Sequence, residues 1–273
     1  MLAKQLENVK ETNPLIHNIT NYVTVNDCAN ILLASGASPI MSDDSQEVEE
    51  ITSICAGLNI NIGTLNANTI PSMFLAGKKA NEVNHPVLLD PVGAGASSLR
   101  TSTAQKLLEQ VKFAVIRGNA SEIRTLALGQ GNTKGVDADI ADKVTDDNLE
   151  SSVRFAKQFS EKTGAVVVIT GEIDIVADKD RAFCIRNGNA LMSSVTGTGC
   201  QLSALITAFV TANKESHLEA AASAVCAMGI CGEKARERMQ AADGNVSYRN
   251  YIIDAMFGLT PKELEECAKY EMR

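Results

Sequence analysis

Short apolar runs rich in β-branched residues recur along the chain, and most are followed by a turn and a segment with helical spacing. Residues 87–90, 113–117 and 165–169 are the clearest predicted strands. Residues 38–41 and 59–62 are weaker, because polar residues or proline interrupt them. Repeated strand and helix units of this kind predict a mostly parallel central sheet covered by helices on both faces.

The second half of the chain departs from this parallel order. Two alternating segments, residues 173–177 and 181–186, flank Asp178-Lys179-Asp180 and predict an antiparallel hairpin. Helical spacing then dominates, and residues 202–210 and 218–242 predict two long, closely packed helices. The expected fold is therefore α/β, with a mixed sheet and an antiparallel hairpin at one edge.

Composition restricts the domain number and the partners. Hydrophobic residues make up 45% of the chain and no stretch has the length and composition of a linker, so we expect a single domain over residues 1–273. The formal net charge is −8, which argues against nucleic acid, because phosphate backbones are held by clustered Lys and Arg. A nucleotide remains compatible with this charge, since backbone N–H groups in a glycine-rich turn can hold its few phosphates.

The cysteines and the apolar runs indicate the compartment. There are 7 cysteines, an odd number, and no C-x-x-C pair, which favours a reducing environment. Residues 1–10 are polar and lack the apolar core of a signal peptide, and no apolar run reaches the ~18 residues that span a bilayer. We therefore expect a cytoplasmic protein without a membrane segment.

The most informative segment is Val195-Thr196-Gly197-Thr198-Gly199-Cys200, which leads directly into the helix at residues 202–210. Glycines ahead of a helix let the backbone point unpaired N–H groups outward, where the helix dipole attracts an anion. The segment predicts an anion-binding turn for a phosphate, formed by residues 196–199. On glycine spacing alone, an ordinary turn beside a buried cysteine is an equally good interpretation.

Cys200 lies where a substrate hydroxyl would meet a transferable phosphoryl group. A thiol in the first helical turn is expected to have a lowered pKa, so Cys200 is a candidate general base. Phosphoryl transfer has a loose transition state, in which positioning and charge neutralisation matter more than proton removal. We therefore expect a modest contribution, on the order of 10²-fold.

Three predicted strands end in side chains suited to a nucleotide and its metal. Asp90 ends the strand at residues 87–90, a position from which it can hold Mg²⁺ through water. Arg117 can neutralise phosphate charge, and Glu122, about one turn further on, can share the metal. Thr170 adds a hydroxyl at a third strand end. Each has a structural alternative: Asp90 suits a turn or an N-cap, and Asn119 with Glu122 suits a helix cap.

These motifs together resemble the hydroxyethylthiazole kinases, the thiamine-salvage branch of the ribokinase-like superfamily, almost from end to end. The resemblance is carried by residues 13–23, 36–41, 90–95, 117–122 and 196–200, of which the first two are the most family-specific. Thr198 departs from the family pattern, which more often has alanine there. The resemblance implies a ribokinase-like three-layer α/β/α fold.

The resemblance also implies an activity. It implies transfer of the γ-phosphoryl group of ATP, with Mg²⁺, to the hydroxyl of 4-methyl-5-(2-hydroxyethyl)thiazole, in a homotrimer with active sites between neighbouring subunits. Cys200 would replace the aspartate base of related sugar kinases. By matching positions, the implied contacts are Met41, Gly197 and Asn21 for the thiazole, Arg117 and Thr170 for ATP, and Asp90 and Glu122 for the metal.

Other functions stay open on the sequence. One is a kinase for another small heterocyclic alcohol, such as a pyrimidine or a pyridoxal-type substrate. A second is an ADP-dependent NAD(P)H-hydrate dehydratase of the same superfamily, which would be expected to carry aspartate where this chain has Cys200. A third is a nucleotide-binding protein without catalysis.

Overall fold

A computed structural model of the protein describes residues 1–129 and 143–273. Within them, nine strands form one sheet in the order β2-β1-β3-β4-β5-β6-β7-β8-β9. The strands are β1 (Leu15–Ile19), β2 (Ser38–Met41), β3 (Gly57–Asn61), β4 (Val87–Asp90), β5 (Val115–Asn119), β6 (Val166–Thr170), β7 (Asp174–Ala177), β8 (Ala182–Ile185) and β9 (Tyr270–Met272). The helices are α1 (Leu2–Thr12), α2 (Val25–Ser35), α3 (Val48–Ile54), α4 (Thr69–Glu82), α5 (Ser98–Gln110), α6 (Ala120–Gly129), α7 (Leu149–Thr163), α8 (Thr198–Ala212), α9 (His217–Arg238), α10 (Asn245–Gly258) and α11 (Pro261–Cys267).

The sheet is mixed, as the sequence predicts. Strands β2, β1, β3, β4, β5 and β6 pair in parallel. The following pairs, β6 with β7, β7 with β8 and β8 with β9, are antiparallel. The predicted hairpin is therefore confirmed as β7 and β8, and β9 extends that edge by one strand. The sequence pattern did not predict β1 and β9.

Two cores cover the two faces of the sheet, which confirms the three-layer α/β/α architecture. On one face, helices α1, α2, α8, α9 and α10 pack against the strand residues that point to that face, such as Leu88 and Val115. On the other face, α4 to α7 pack against their neighbours Leu89 and Ile116. Successive strand residues point to opposite faces, and because both faces are covered, these strands consist of nearly continuous apolar runs.

Helix α8 lies very close to the sheet. A Cβ placed on Gly57, at the start of β3, would lie 2.1 Å from Thr211 Oγ1 in α8. Only a glycine allows this approach, since atoms do not come so close without a bond. The contact fixes the far end of α8 on β3, and the beginning of α8 points to the carboxyl ends of the strands.

The predicted boundaries agree with the structure for several elements and fail for others. The helical spacing of residues 25–34 and the glycine at position 36 predict a helix closed by Gly36, and α2 does end in a left-handed Gly36. The helix predicted over 218–242 ends instead at Arg238. Its apolar pattern continues, but the Asp243 carboxylate accepts the Gln240 N–H over 2.8 Å and favours a turn there.

No helix among the described residues combines the length and the apolar character required to cross a lipid bilayer.

Candidate active site

Asp90, the last residue of β4, is fully buried at the carboxyl edge of the sheet. Its Oδ2 accepts hydrogen bonds from Asn61 Nδ2 and from Ser203 Oγ, each over 2.7 Å. Its Oδ1 has no hydrogen-bond partner in the structure. Burial raises the pKa of Asp90 to about 6, against the opposing effect of the Arg117 charge. A buried carboxylate oxygen without a partner indicates a place for a ligand, a water molecule or an ion.

Arg117 joins three of the predicted site elements. Its Nη1 lies 3.5 Å from Asp90 Oδ2, and its Nη2 donates to Thr170 Oγ1 over 2.7 Å. A Cβ on Gly199 would lie 2.6 Å from Arg117 Nη1, so the guanidinium group rests on the first turn of α8. The structure therefore brings Asp90, Arg117, Thr170 and the predicted anion turn together.

The turn ahead of α8 depends on its glycines. Gly197 is the N-cap residue with φ +88°, and a Cβ there would lie 2.3 Å from Thr24 Cγ2. Thr198 begins the helix, and its hydroxyl donates to the Met192 carbonyl over 3.4 Å. The N–H groups at the start of α8 and the Arg117 cation lie side by side, an arrangement suited to a polyanion.

Cys200 is buried in the first turn of α8 and accepts a hydrogen bond from Asn21 Nδ2, with an N to S distance of 3.1 Å. The expectation of a lowered pKa for this thiol is wrong. Burial raises the pKa of Cys200, and the negative charge of Asp90 raises it further. These effects outweigh the hydrogen bonds and the Arg117 charge, so the thiol is protonated near neutral pH.

Glu122 lies in the first turn of α6 and forms a capping box with Asn119. Its Oε2 accepts the Asn119 N–H over 2.8 Å, and Asn119 Oδ1 accepts the Glu122 N–H over 2.9 Å. Its Oε1 accepts the Gly93 N–H over 2.8 Å. Asn119 and Glu122 therefore form the helix cap that the sequence offered as an alternative to a metal site. Glu122 also fixes the turn after β4 through Gly93. Among the described residues, no group of three or more His, Cys, Asp or Glu side chains is arranged to hold a metal directly.

The predicted thiazole contacts lie on three elements, with Gly197 at the N-terminus of α8 and the other two at strand ends. Asn21 follows β1 and is joined to Cys200. Met41 ends β2, where it pairs with Asn18 of β1. Met41 is partly buried and packs against the core cluster that contains Cys200. The structure therefore places Met41 at the carboxyl edge of the sheet, on the face that carries Cys200.

Sequence reasoning missed Thr24, Asn61 and Ser203. Thr24 lies against Gly197, and the other two hold Asp90. A signal for Asn61 was present, because Asn59 and Asn61 alternate with apolar residues in a buried strand. Polar residues at every second position indicate that one face of that strand carries polar side chains.

A profile of the hydroxyethylthiazole kinase family matches residues 6–262. The chain belongs to this family. Hydroxyethylthiazole kinase from Clostridium acetobutylicum is 67% identical over 271 residues, which cover 99% of each chain. That from Clostridium tetani is 50% identical over 268 residues, 98% of this chain and 96% of the relative.

A solved structure of a relative has the same fold as this chain. The structure of a hydroxyethylthiazole kinase protein from Pyrococcus horikoshii OT3 superposes with a TM-score of 0.89 at 35% identity. It covers 100% of this chain and 98% of that one. A ribokinase-like superfamily protein from Enterococcus faecalis V583 superposes with a TM-score of 0.66 at 12% identity, over 94% of this chain and 89% of that one, which confirms the predicted ribokinase-like fold.

Proposed function

We propose that this protein transfers the γ-phosphoryl group of ATP to the hydroxyl of 4-methyl-5-(2-hydroxyethyl)thiazole, the reaction of thiamine salvage. The observation that carries the proposal is the position of Arg117, which contacts Thr170, the buried Asp90 and the first turn of α8. A cation between a strand end and a helix N-terminus suits the transferable end of a nucleotide. Membership of the family supports the thiazole as acceptor.

In this proposal the polyphosphate lies between Arg117, Thr170 and the turn formed by residues 196–199. Arg117 neutralises charge that develops on the transferred group, and the N–H groups of the turn hold its oxygens. Gly197, Met41 and Asn21 hold the thiazole so that its hydroxyl faces Cys200. Asn21 already contacts the Cys200 sulfur.

Mg²⁺ bound to the nucleotide would supply further neutralisation of phosphate charge. The donor set fits a metal that takes most of its ligands from water and phosphate, because Asp90 Oδ1 is the one carboxylate oxygen of Asp90 and Glu122 that lacks a partner among the described residues. We assign to Asp90 the contact with the metal, through a bridging water molecule. Glu122 lies near the metal and holds the turn at Gly93.

Cys200 is the proposed catalytic residue. With a raised pKa, it faces the acceptor hydroxyl mainly as a neutral thiol. A loose transition state requires little proton removal before the new P–O bond forms, so this charge state is compatible with turnover. Cys200 then orients the hydroxyl and contributes modestly to proton transfer.

The assembly and the location belong to the same proposal. We propose a single catalytic domain, a homotrimer with active sites between subunits and a cytoplasmic location, with no nucleic-acid partner. The net charge of −8 supports the absence of a nucleic-acid partner. Sedimentation of the purified protein gives the assembly directly, and a monomer would contradict the trimer.

The activity is tested by ADP release on adding the thiazole alcohol, with and without Mg²⁺. We expect release that depends on both, and faster turnover than with a pyridoxine-like or pyrimidine alcohol. Preference for one of those alcohols would replace the thiazole as acceptor. Dehydration of NAD(P)H hydrate in place of ADP release would indicate the dehydratase, and nucleotide binding without either reaction would exclude catalysis.

A further inference from the structure

A chain of buried side-chain amides connects Cys200 to Asp90. Asn21 Nδ2 lies 3.1 Å from Cys200 Sγ and also 3.1 Å from Asn61 Oδ1. Asn61 Nδ2 in turn donates to Asp90 Oδ2 over 2.7 Å. Asn21 and Asn61 are only 4% and 1% exposed, so water does not compete for these bonds.

Backbone donors fix the direction of this chain. The Gly63 N–H donates to Asn61 Oδ1 over 2.9 Å, and the Thr24 N–H donates to Asn21 Oδ1 over 3.1 Å. The Thr24 hydroxyl adds a second bond to Asn21 Oδ1, over 3.0 Å. A backbone N–H can only donate, so both amide oxygens must face these groups. The NH₂ of Asn61 therefore faces Asp90, and the NH₂ of Asn21 faces the sulfur.

We propose that Asn61 is a positioning residue for Cys200, which holds the Asn21 amide so that one of its N–H groups points at the sulfur. The inference rests on the proposed function only in giving Cys200 a role in turnover. Asn61 is buried and accepts a hydrogen bond from Asn21. Hydrogen bonding by the Asn61 side chain also lowers the pKa of Cys200 itself, so Asn61 acts on the thiol both directly and by holding Asn21.

The N–H of Asn21 acts on the sulfur against the surrounding charges. Asp90 of β4 disfavours negative charge on Cys200, and Arg117 of β5 favours it. The Cys28 thiol of α2 also interacts electrostatically with Cys200. A donor aimed at the sulfur stabilises its thiolate form, and a disordered Asn21 amide would remove that stabilisation.

Asn59 provides a matched control. It lies two residues before Asn61 in β3, on the same face of the strand, and is 0% exposed. Its Nδ2 donates to Asn18 Oδ1 over 3.0 Å, away from Asn21 and Asp90. Asn59→Leu therefore places the same apolar side chain on the same strand without breaking the connection to Cys200.

The test measures alkylation of Cys200 by iodoacetamide at pH 8 in the full-length protein, resolved by mass spectrometry of peptides. Cys267 is the exposed cysteine and serves as the internal reference in every sample. We expect Asn61→Leu to lower the ratio of the Cys200 rate to the Cys267 rate about tenfold, because a weaker hydrogen bond to the sulfur leaves less of the reactive thiolate. Asn21→Leu removes the donor itself and should lower the ratio at least as far, whereas Asn59→Leu should leave it near the wild-type value.

The result that overturns the proposal is a ratio in Asn61→Leu and Asn21→Leu equal to or above that of Asn59→Leu, with similar melting temperatures. If Asn61→Leu does not fold, Asn21→Leu decides the question. Alkylation requires no turnover, so a lowered ratio without any ADP release would keep the positioning role and reject the kinase activity. In an active enzyme, Asn61→Leu should lower kcat in step with the Cys200 alkylation ratio, whereas Asn59→Leu should lower neither.

Discussion

Asp90 is a buried carboxyl group whose charge opposes folding. Its pKa of about 6 lies above the ordinary value of 3.8, because burial disfavours the charged form more than Arg117, Ser203 and Asn61 favour it. The folded protein therefore binds this proton more tightly than the unfolded chain does. The contribution of Asp90 to the free energy of unfolding is largest below pH ~4, falls as the pH rises to ~6 and stays low above that.

Asp90→Asn should remove this pH dependence. We expect the free energy of unfolding of the wild type to contain a decline of up to about 3 kcal/mol from this group between pH 4 and 7, which the variant lacks. The variant should also lose most of its activity, since it lacks the charged oxygen proposed to face the metal. Urea denaturation at pH 4.5 and 7.5 checks the first expectation. The same change in stability in both proteins would show that Asp90 does not carry the effect.

Individual residues also show the limit of reasoning from motifs. The sequence placed Cys200 at a helix N-terminus correctly, but the charge of its sulfur depends on Asp90, which lies 110 positions earlier in the chain. Glu122 was assigned two roles on sequence, and the structure shows that its two oxygens accept backbone N–H groups. The charge state of a buried side chain depends on desolvation and on charges from distant parts of the chain, so residue type and local position alone do not determine it.

At the scale of elements, the contact between α8 and β5 decides whether Arg117 can reach a nucleotide. A Cβ on Gly199 would lie 2.6 and 2.7 Å from the two terminal nitrogens of Arg117. An arginine terminus is flexible, so the side chain can move aside while the backbone of both elements stays in place. That movement would break its contacts with Asp90 and Thr170.

Gly199→Ala should therefore raise the KM for ATP about tenfold, the equivalent of one charge-assisted hydrogen bond, with little change in melting temperature. Steady-state kinetics and thermal melting measure the two effects. Gly258→Ala, at the end of α10, is the control, because a Cβ there has no atom within 4 Å. Unchanged kinetics in Gly199→Ala would show that Arg117 does not depend on the close approach of α8.

At the scale of the whole molecule, residues 270–273 complete the sheet. Strand β9 pairs with β8, so that Phe183 lies opposite Met272 and Ile185 opposite Tyr270. The Tyr270 and Phe183 rings lie 5.3 Å apart, and Arg273 Nη1 lies 2.7 Å from Glu150 Oε1. Without these residues β8 becomes an edge strand with unpaired backbone groups and exposed apolar side chains.

Deletion of residues 270–273 should lower the melting temperature by about 5 °C, at 2–4 °C per kcal/mol for a chain of this size, and should promote aggregation on heating. Calorimetry and light scattering measure both effects. Activity at 25 °C per folded molecule should change little, because β9 is four strands away from β5 in the sheet. An unchanged melting temperature would indicate that β9 contributes little to the edge.

The sequence by itself determined the fold class, the parallel strands at residues 87–90 and 165–169, the hairpin and the family, because apolar periodicity, turn residues and motif spacing are local properties of the chain. Only the tertiary structure decided which strand ends meet at Arg117, that Cys200 has a raised pKa and that Asn61 reaches it through Asn21. β1 also escaped the sequence, because Leu15–Ile19 contains His17 and Asn18, two polar residues that remain stable inside the sheet only through partners supplied by other elements. Hydrogen-bond partners and desolvation depend on residues far apart in the chain, and a linear pattern does not record those distances.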